Sequence, residues 1–151
     1  MCRVISGLIF CFAVASLLVS GSHRVNGQER IVTAAQVNGT WQYRDNFFRI
    51  WAVGQQKLKV EFDGIYKYKI PSGLMANTGL GSGTARIEGD TAVFKPSEIG
   101  EDEDCKITMR FTRGKLIVEQ EGICGFGHNV NAAGTYRRIS RTKPKFGELQ
   151  P

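Results

Sequence analysis

The residues best able to do chemistry lie in one stretch, from Cys105 to Tyr136. Cys105 and Cys124 could form a disulfide, act as nucleophiles or bind a metal. His128 and Asn129 offer hydrogen-bond donors and acceptors without permanent charge. Cys2 and Cys11 fall in a predicted signal peptide, described below. A zinc site needs four ligands, and beyond the two remaining cysteines the mature chain offers one other good soft ligand, His128. An even pair of cysteines in an oxidising compartment therefore predicts a Cys105–Cys124 disulfide and no metal.

The pattern of acids, bases and nucleophiles does not favour catalysis. No serine lies in a G-x-S-x-G elbow, and bridged cysteines cannot act as nucleophiles. Glu61, Glu88 and Glu119 fall at outward positions of separate predicted strands, which gives no pair of carboxylates. No P-loop or dinucleotide fingerprint occurs. We therefore expect no enzyme and no cofactor.

The segment C-G-F-G-H-N-V-N at 124–131 is the candidate recognition loop. Its glycines allow positive φ or close approach of another backbone. In one interpretation Phe126 is an apolar anchor, and His128, Asn129 and Asn131 set polar specificity. In the alternative, the segment is a glycine-rich connection whose asparagines hold the turn. Phe126 is then a plug under the neighbouring hairpin, and His128 is solvated.

The elements that must position this loop are strands. Residues 57–62 and 105–112 alternate strictly between polar and apolar, which indicates one wet and one buried face. Strands are predicted at 39–44, 47–53, 57–63, 65–70, 83–88, 91–95, 105–112, 115–121 and 133–139. Turn signals include Asp63-Gly64, Gly89-Asp90 and Arg113-Gly114. Eight or nine short strands predict a small antiparallel barrel, with a sandwich as the alternative. Closure favours the barrel because it removes exposed edges.

Strands 105–112 and 115–121 form a predicted hairpin clamped by the disulfide. A two-residue loop centred between Gly114 and Lys115 would place the cysteines directly opposite each other. If the loop is Arg113-Gly114, the cysteines are offset by two and a bulge near Gly122 must absorb the offset. Both registers bury the same apolar face, made of Ile107, Met109, Phe111, Leu116 and Val118. Trp41, in the first strand, is a predicted core residue.

Two predicted links are longer. Residues 71–82 are glycine-rich but contain Leu74, Met75 and Leu80. They are predicted to form either a flap over the barrel mouth or a short helix or loop against the core. Residues 96–104 are acidic. They lack the spaced Asp/Asn and Gly of a calcium loop, which favours a solvated charged loop.

The N-terminus has the order of a secretory signal peptide. Arg3 precedes an apolar run at 4–19, and small and polar residues follow. The run is shorter than a typical spanning helix, which favours cleavage over a membrane anchor. Cleavage is predicted after Gly27, with Gly21 or Ser22 as the alternative. The domains are then a signal peptide at 1–27, a barrel at 28–140 and a flexible basic tail at 141–151. Removing Arg3 and Arg24 leaves 18 basic against 14 acidic residues, a net charge of +4.

Two resemblances follow from these motifs. The pattern C…C-G-F-G-x-N-V-x-A-x-G-x-Y, from Cys105 to Tyr136, resembles small, largely uncharacterised bacterial secreted proteins. Gly39-Thr40-Trp41 is similar to the G-x-W that opens the first strand of lipocalin-like barrels. That resemblance implies that Arg137 or Arg138 of the last strand crosses Trp41.

Three hypotheses for function remain, in order of preference. The first is an exported, non-catalytic binding module, secreted or periplasmic. Its ligand is an apolar small molecule in the barrel or a protein partner, in the manner of inhibitors of secreted hydrolases. The second is a structural component of the envelope without a ligand, and an enzyme comes third. Neither nucleic acid nor stable membrane insertion after cleavage is expected. A barrel filled by aromatic side chains would exclude an internal ligand.

Overall fold

The computed structural model describes residues 31–97 and 104–147. Within them, a short helix α1 (Ala34–Val37) precedes eight strands: β1 (Gly39–Tyr43), β2 (Asn46–Gly54), β3 (Lys57–Ile70), β4 (Gly73–Glu88), β5 (Thr91–Phe94), β6 (Lys106–Thr112), β7 (Lys115–Glu121) and β8 (Gly134–Ser140). Each strand pairs antiparallel with the next, and β1 also pairs with β8. The predicted all-β antiparallel barrel is therefore confirmed. The predicted signal peptide and most of the acidic link lie outside the described residues.

The hairpin of β3 and β4 is much longer than predicted. The two expected strands 57–63 and 65–70 are one strand, so the predicted turn at Asp63-Gly64 is wrong. Residues 73–82, expected as a flap or a tucked loop, belong to β4. Gly64 is needed for packing rather than for a turn, because a Cβ there would come within 2.8 Å of Val130 Cγ1. The glycines at 79, 81 and 83 recur with the period of a strand, and the true turn is at 71–72.

The inside of the barrel is filled by large side chains. Trp41 is fully buried, as predicted, and its indole Nε1 donates a hydrogen bond to the Val37 carbonyl oxygen at 3.0 Å. The fully buried side chains from the barrel strands include Phe48, Ile50, Leu58, Phe62, Phe94, Ile107, Met109, Phe111, Leu116 and Tyr136. All five apolar residues predicted for the β6–β7 hairpin are buried. Their alternation along the strands is what places them on one face.

One end of the barrel, here called the helix end, is closed by α1. The Arg138 guanidinium lies 4.9 Å from the centre of the Trp41 ring and donates to the carbonyl oxygens of Ala35 and Asn38. Of the two arginines expected to cross Trp41, Arg138 does so. Burial lowers the pKa of Arg138 from its usual value, with a smaller effect from Arg141. Within the described ranges, no helix has the length and apolar character required to cross a membrane.

The β6–β7 hairpin settles the register of the disulfide. Thr112 pairs with Lys115, so Arg113-Gly114 is the turn and the cysteines are offset by two residues. Cys105 and Cys124 are bonded, with their Cα atoms 4.8 Å apart. Gly122 has φ +72°, and a Cβ there would come within 1.2 Å of the Asp104 carbonyl oxygen. The predicted bulge is not part of the β6–β7 pairing, which runs without a register shift to Glu121. Gly122 follows the strand instead, and glycine is required there because its backbone nearly touches that of Asp104.

Candidate binding surface

The segment between β7 and β8 closes the end of the barrel opposite α1, here called the loop end. β7 finishes at Glu121 and β8 begins at Gly134. The turn between β1 and β2 and the extension of the β3–β4 hairpin lie at this same end, because the strands alternate in direction. The candidate loop is thus brought next to a hairpin that is distant in sequence.

The loop and β4 fit together through glycines. Phe126 is half-buried and packs against Phe62, with ring centres 4.7 Å apart. A Cβ at Gly79 would come within 2.8 Å of Phe126 Cβ, and a Cβ at Gly127 within 2.3 Å of the Thr78 carbonyl oxygen. Larger side chains at these positions would force the loop away from the strand. Phe126 thus takes the packed position that the sequence offered as the alternative to an exposed anchor.

Asn131 holds the end of the loop through its own hydrogen bonds. Its carbonyl oxygen accepts a bond from the Asn46 side-chain amide at 2.9 Å, and its Oδ1 accepts one from the Ala133 N–H at 2.7 Å. Ala132 N–H donates to the Gln120 side chain at 2.8 Å. The bond from the Ala133 N–H to the Asn131 side chain, two residues earlier, is the one that asparagine makes in turns, so the Asn131 side chain contributes to the shape of the loop.

Below the loop, Tyr136 is buried and donates its hydroxyl to the Ala132 carbonyl oxygen at 2.7 Å. Burial raises the pKa of Tyr136 well above its usual value, because the phenolate would lose its hydration. A hydrogen bond with Asn46 opposes this effect, and Tyr43 adds to it. The pair Tyr136 and Ala132 therefore ties the loop to the core.

His128 and Asn129 are exposed at the rim of the loop end. The Asn77 side-chain amide of β4 donates to the His128 carbonyl oxygen at 2.8 Å, which joins the loop to the hairpin. Asn129 has φ +61°, a conformation that asparagine tolerates better than most residues. The backbone that carries both side chains is therefore fixed by the bond from Asn77 to His128 and by the bond from Asn46 to Asn131.

Two tyrosines of β3 stand beside these loop residues. The rings of Tyr66 and Tyr68 are nearly parallel, with centres 6.1 Å apart. An open depression of about 420 Å³ is lined by Tyr66, Tyr68, Asn77, His128 and Asn129, which we call the loop–hairpin face. An adjoining depression of about 550 Å³ extends from Asn129 toward the turn between β1 and β2.

Sequence reasoning placed His128 and Asn129 in this face but missed Tyr66, Tyr68 and Asn77. The signal was the continued alternation of aromatic residues after Gly64, which the turn wrongly predicted at Asp63-Gly64 concealed. The chemistry of the face is aromatic surface with neutral donors and acceptors, which suits recognition. In the part of the chain that the structure describes, no three His, Cys, Asp or Glu side chains are grouped to hold a metal.

A second polar cluster, on the outside of the barrel, was also missed. Glu61 points outward as predicted, but it is buried, and with Asp63 it flanks the buried Arg49 of the adjacent strand. The Gly147 N–H donates to the second Glu61 oxygen at 2.6 Å. The described part of the basic tail, 141–147, thus reaches this face. Arg49 is bonded to both carboxylates and compensates their buried charge. Glu61, held in this way, anchors the segment 141–147 through its bond to Gly147.

No family model, no curated protein and no solved structure matches this chain. The two resemblances drawn from the sequence therefore stay interpretations.

Proposed function

We propose that this protein is an exported, non-catalytic binding module that docks on a protein partner through the loop–hairpin face. The observation that carries the proposal is the meeting of His128 and Asn129 with Tyr66 and Tyr68. Aromatic side chains beside neutral polar groups are typical of protein interfaces, where they supply contact area and direction. An inhibitor-like action on a secreted hydrolase is one form of this function.

The packing of the barrel favours a partner outside it. Trp41, Phe48, Phe62, Phe94 and Phe111 are fully buried within it, and each is a large aromatic residue. In a barrel of eight strands, side chains of this size can fill the interior. This filled core therefore favours a partner that binds on the outer surface of the barrel over an apolar small molecule that binds inside it.

The rigidity of the face also favours binding. The loop is held at its start by the disulfide, in its middle by Asn77, and at its end by the hydrogen bonds of Asn131. A surface that is already ordered loses less entropy when it binds. The Gly79 and Gly127 contacts add to this order because they leave the loop no room to shift toward β4.

Export is the proposed setting. A disulfide such as Cys105–Cys124 is compatible with an oxidising extracytoplasmic location. The charged and apolar N-terminus supports the same proposal, with a leader of about 27 residues. Secretion and periplasmic retention are separated by fractionating an expressing culture.

The test begins with identification of the partner. Tagged wild-type protein is used to capture partners from the extracytoplasmic fraction of its source, and the captured protein is then purified and titrated directly. The double variant His128→Ala with Asn129→Ala should fold and lose about 1 kcal/mol of stability, because alanine tolerates the φ of +61° at position 129 less well than asparagine does. It should bind the purified partner at least about tenfold more weakly.

A matched control uses two exposed residues of β7, Lys115→Ala with Glu119→Ala, which should leave the affinity unchanged. Tyr66→Ala with Tyr68→Ala should weaken binding as much as the loop variant does. The proposal is overturned if the loop variant is stable and binds as well as wild type. It is also overturned if native mass spectrometry shows an apolar molecule bound inside the wild-type barrel.

A further inference from the structure

Beyond the barrel wall, the β3–β4 hairpin continues as a two-stranded ribbon made of residues 65–70 and 73–78, and its Tyr66, Tyr68 and Asn77 are the hairpin's part of the loop–hairpin face. Its pairs run from Ile65↔Thr78 to Ile70↔Gly73. Pairing of β3 with β2 ends at Asp63, and pairing of β4 with β5 covers only Arg86 to Glu88. The ribbon therefore extends beyond the wall of the barrel, by about 15–20 Å at the usual rise per residue.

The far end of this ribbon, here called the tip, carries exposed apolar side chains. Leu74 is 65% exposed, Met75 46% and Ile70 39%. Single exposed apolar residues are ordinary on protein surfaces. A group of them on a projecting element indicates a site of contact with a protein partner or a membrane.

The apolar residues of the tip occupy both faces of the ribbon. Tyr68 lies directly opposite Met75, and Ile70 follows on the same face. Lys69 lies directly opposite Leu74 on the other face. A protein that docks on a ribbon covers one face, whereas a lipid layer surrounds an inserted tip on all sides. The two-sided arrangement thus favours lipid.

The charges of the ribbon complement an anionic surface. No acidic residue occurs between Asp63 and Glu88, and that interval contains Lys67 and Lys69. Lys67 forms an exposed ion pair with Asp45, with Nζ and Oδ1 3.0 Å apart. Lys69 lies nearer the tip, opposite Leu74, and is therefore the stronger candidate for contact with anionic headgroups. Lysine side chains can lay their apolar stems along a surface while the ammonium group reaches the headgroups.

Tyr66 and Tyr68 lie behind the tip, at the position along the ribbon where a membrane–water interface would fall if the tip were inserted. Going back from the tip, Ile70 and Leu74 are followed by Tyr68 and then by Tyr66. Tyrosine is enriched at membrane–water interfaces because its ring is apolar and its hydroxyl is polar. The order along the ribbon is therefore apolar tip, aromatic level and barrel.

From these observations we infer that the tip binds the surface of an anionic lipid bilayer, with Ile70 and Leu74 inserted among the acyl chains, Met75 at the interface beside Tyr68, and the Lys69 ammonium group reaching back to the headgroups. Binding of this kind is peripheral and reversible, because three side chains and one lysine bury little area. It does not rest on the proposed protein-binding function, since Ile70, Leu74, Met75 and Lys69 are not among the residues that line the loop–hairpin face, although Tyr66 and Tyr68 belong to both surfaces.

The test measures partition onto vesicles made from equal amounts of phosphatidylcholine and phosphatidylglycerol, and onto vesicles of phosphatidylcholine alone. All samples are prepared in parallel so that the N-terminus is the same in each. The double variant Ile70→Ser with Leu74→Ser should lose about tenfold in partition coefficient on the mixed vesicles. Its matched control, Val53→Ser with Ile139→Ser, changes two comparably exposed apolar residues away from the tip and should leave partition unchanged.

The electrostatic part is tested separately. Lys69→Gln should weaken binding to the mixed vesicles by about fivefold and leave binding to phosphatidylcholine unchanged. Lys57→Gln, at the helix end, should affect neither. Insertion itself is read from Leu74→Trp, whose added fluorescence should shift to the blue and be quenched by brominated lipid.

Three results would overturn the inference. Wild-type protein that stays in solution with both vesicles would do so, as would a tip double variant that binds them as well as wild type does. The third is loss of the captured protein partner by the tip variant without vesicle binding by wild type, which would make the tip a protein-docking element. Retention of vesicle binding by His128→Ala with Asn129→Ala is expected, so failure of the proposed function leaves this inference standing.

Discussion

Two parts of the same hairpin differ in what they bury. In the barrel wall, Leu58, Val60 and Phe62 of β3 are buried on one face. After Gly64 the alternation continues with Tyr66 and Tyr68, but these rings meet solvent and each other. The local pattern of the strand does not change between the two parts.

The difference comes from what lies opposite each part. Phe62 has Phe48 at 5.0 Å and Phe126 at 4.7 Å between ring centres, from a neighbouring strand and from the loop. Beyond the barrel, β3 and β4 pair only with each other in the described residues. An alternating strand thus makes a face that can be buried, and the rest of the fold decides whether it is. A face left uncovered is available for a partner or a surface.

The largest expected effect tests this comparison directly. Phe62→Ala should lower the free energy of unfolding by about 3–5 kcal/mol, because it leaves a cavity among packed rings. Tyr68→Ala, six residues along the same face, should cost less than about 1 kcal/mol. Urea unfolding of the two variants and the wild-type protein measures both losses in the free energy of unfolding. Equal losses would mean that the ribbon is packed like the barrel, and would remove the basis for treating it as a binding element.

The next effect concerns the covalent link that holds the loop end. Cys105→Ser with Cys124→Ser should lower stability by about 3 kcal/mol, because the bridge closes a segment with a sequence separation of 19. Thiol labelling of the denatured, unreduced wild-type protein should find neither cysteine free. If both are labelled, the bridge is absent and the loop is held by its non-covalent contacts alone.

A smaller effect is expected where the loop meets β4. Gly79→Ala should lower stability by about 1–3 kcal/mol, because the new Cβ would come within 2.8 Å of Phe126 Cβ. Thr78→Ala, its exposed neighbour, serves as the control and should stay within about 0.5 kcal/mol of wild type. A neutral Gly79→Ala would show that the loop can move away, which would weaken the claim that its binding face is rigid.

The smallest effect depends on pH. Tyr136→Phe should cost about 1 kcal/mol at neutral pH through loss of the hydrogen bond to the Ala132 carbonyl oxygen. The pKa of Tyr136 is raised in the folded protein, so the tyrosine's contribution is full below its usual pKa of about 10 and is lost as the pH rises above it.

One unit above that pKa, ionisation of the unfolded chain costs wild type about 1.4 kcal/mol, and the phenylalanine variant has no such loss. The gap in stability between the two proteins should therefore close by about pH 11. A gap that is constant from neutral to alkaline pH would place the Tyr136 hydroxyl in contact with water.

The amino-acid sequence by itself determined the fold class, most strand positions and the disulfide. These follow from local signals: alternation over 57–62 and 105–112, turn residues at Arg113-Gly114, and the two cysteines that lie outside the predicted signal peptide. It also singled out His128 and Asn129, because a glycine-rich loop with polar residues is visible without knowledge of its neighbours.

Only the tertiary structure decided which alternating faces are covered. The sequence could not show that Gly64 and Gly79 receive the loop, since a glycine that avoids a clash and a glycine that makes a turn have the same letter. It could not bring Tyr66 to His128, because those residues are distant along the chain and meet only when the strands close into a barrel. Pairing across the closed sheet is a non-local property, and local periodicity carries no information about it.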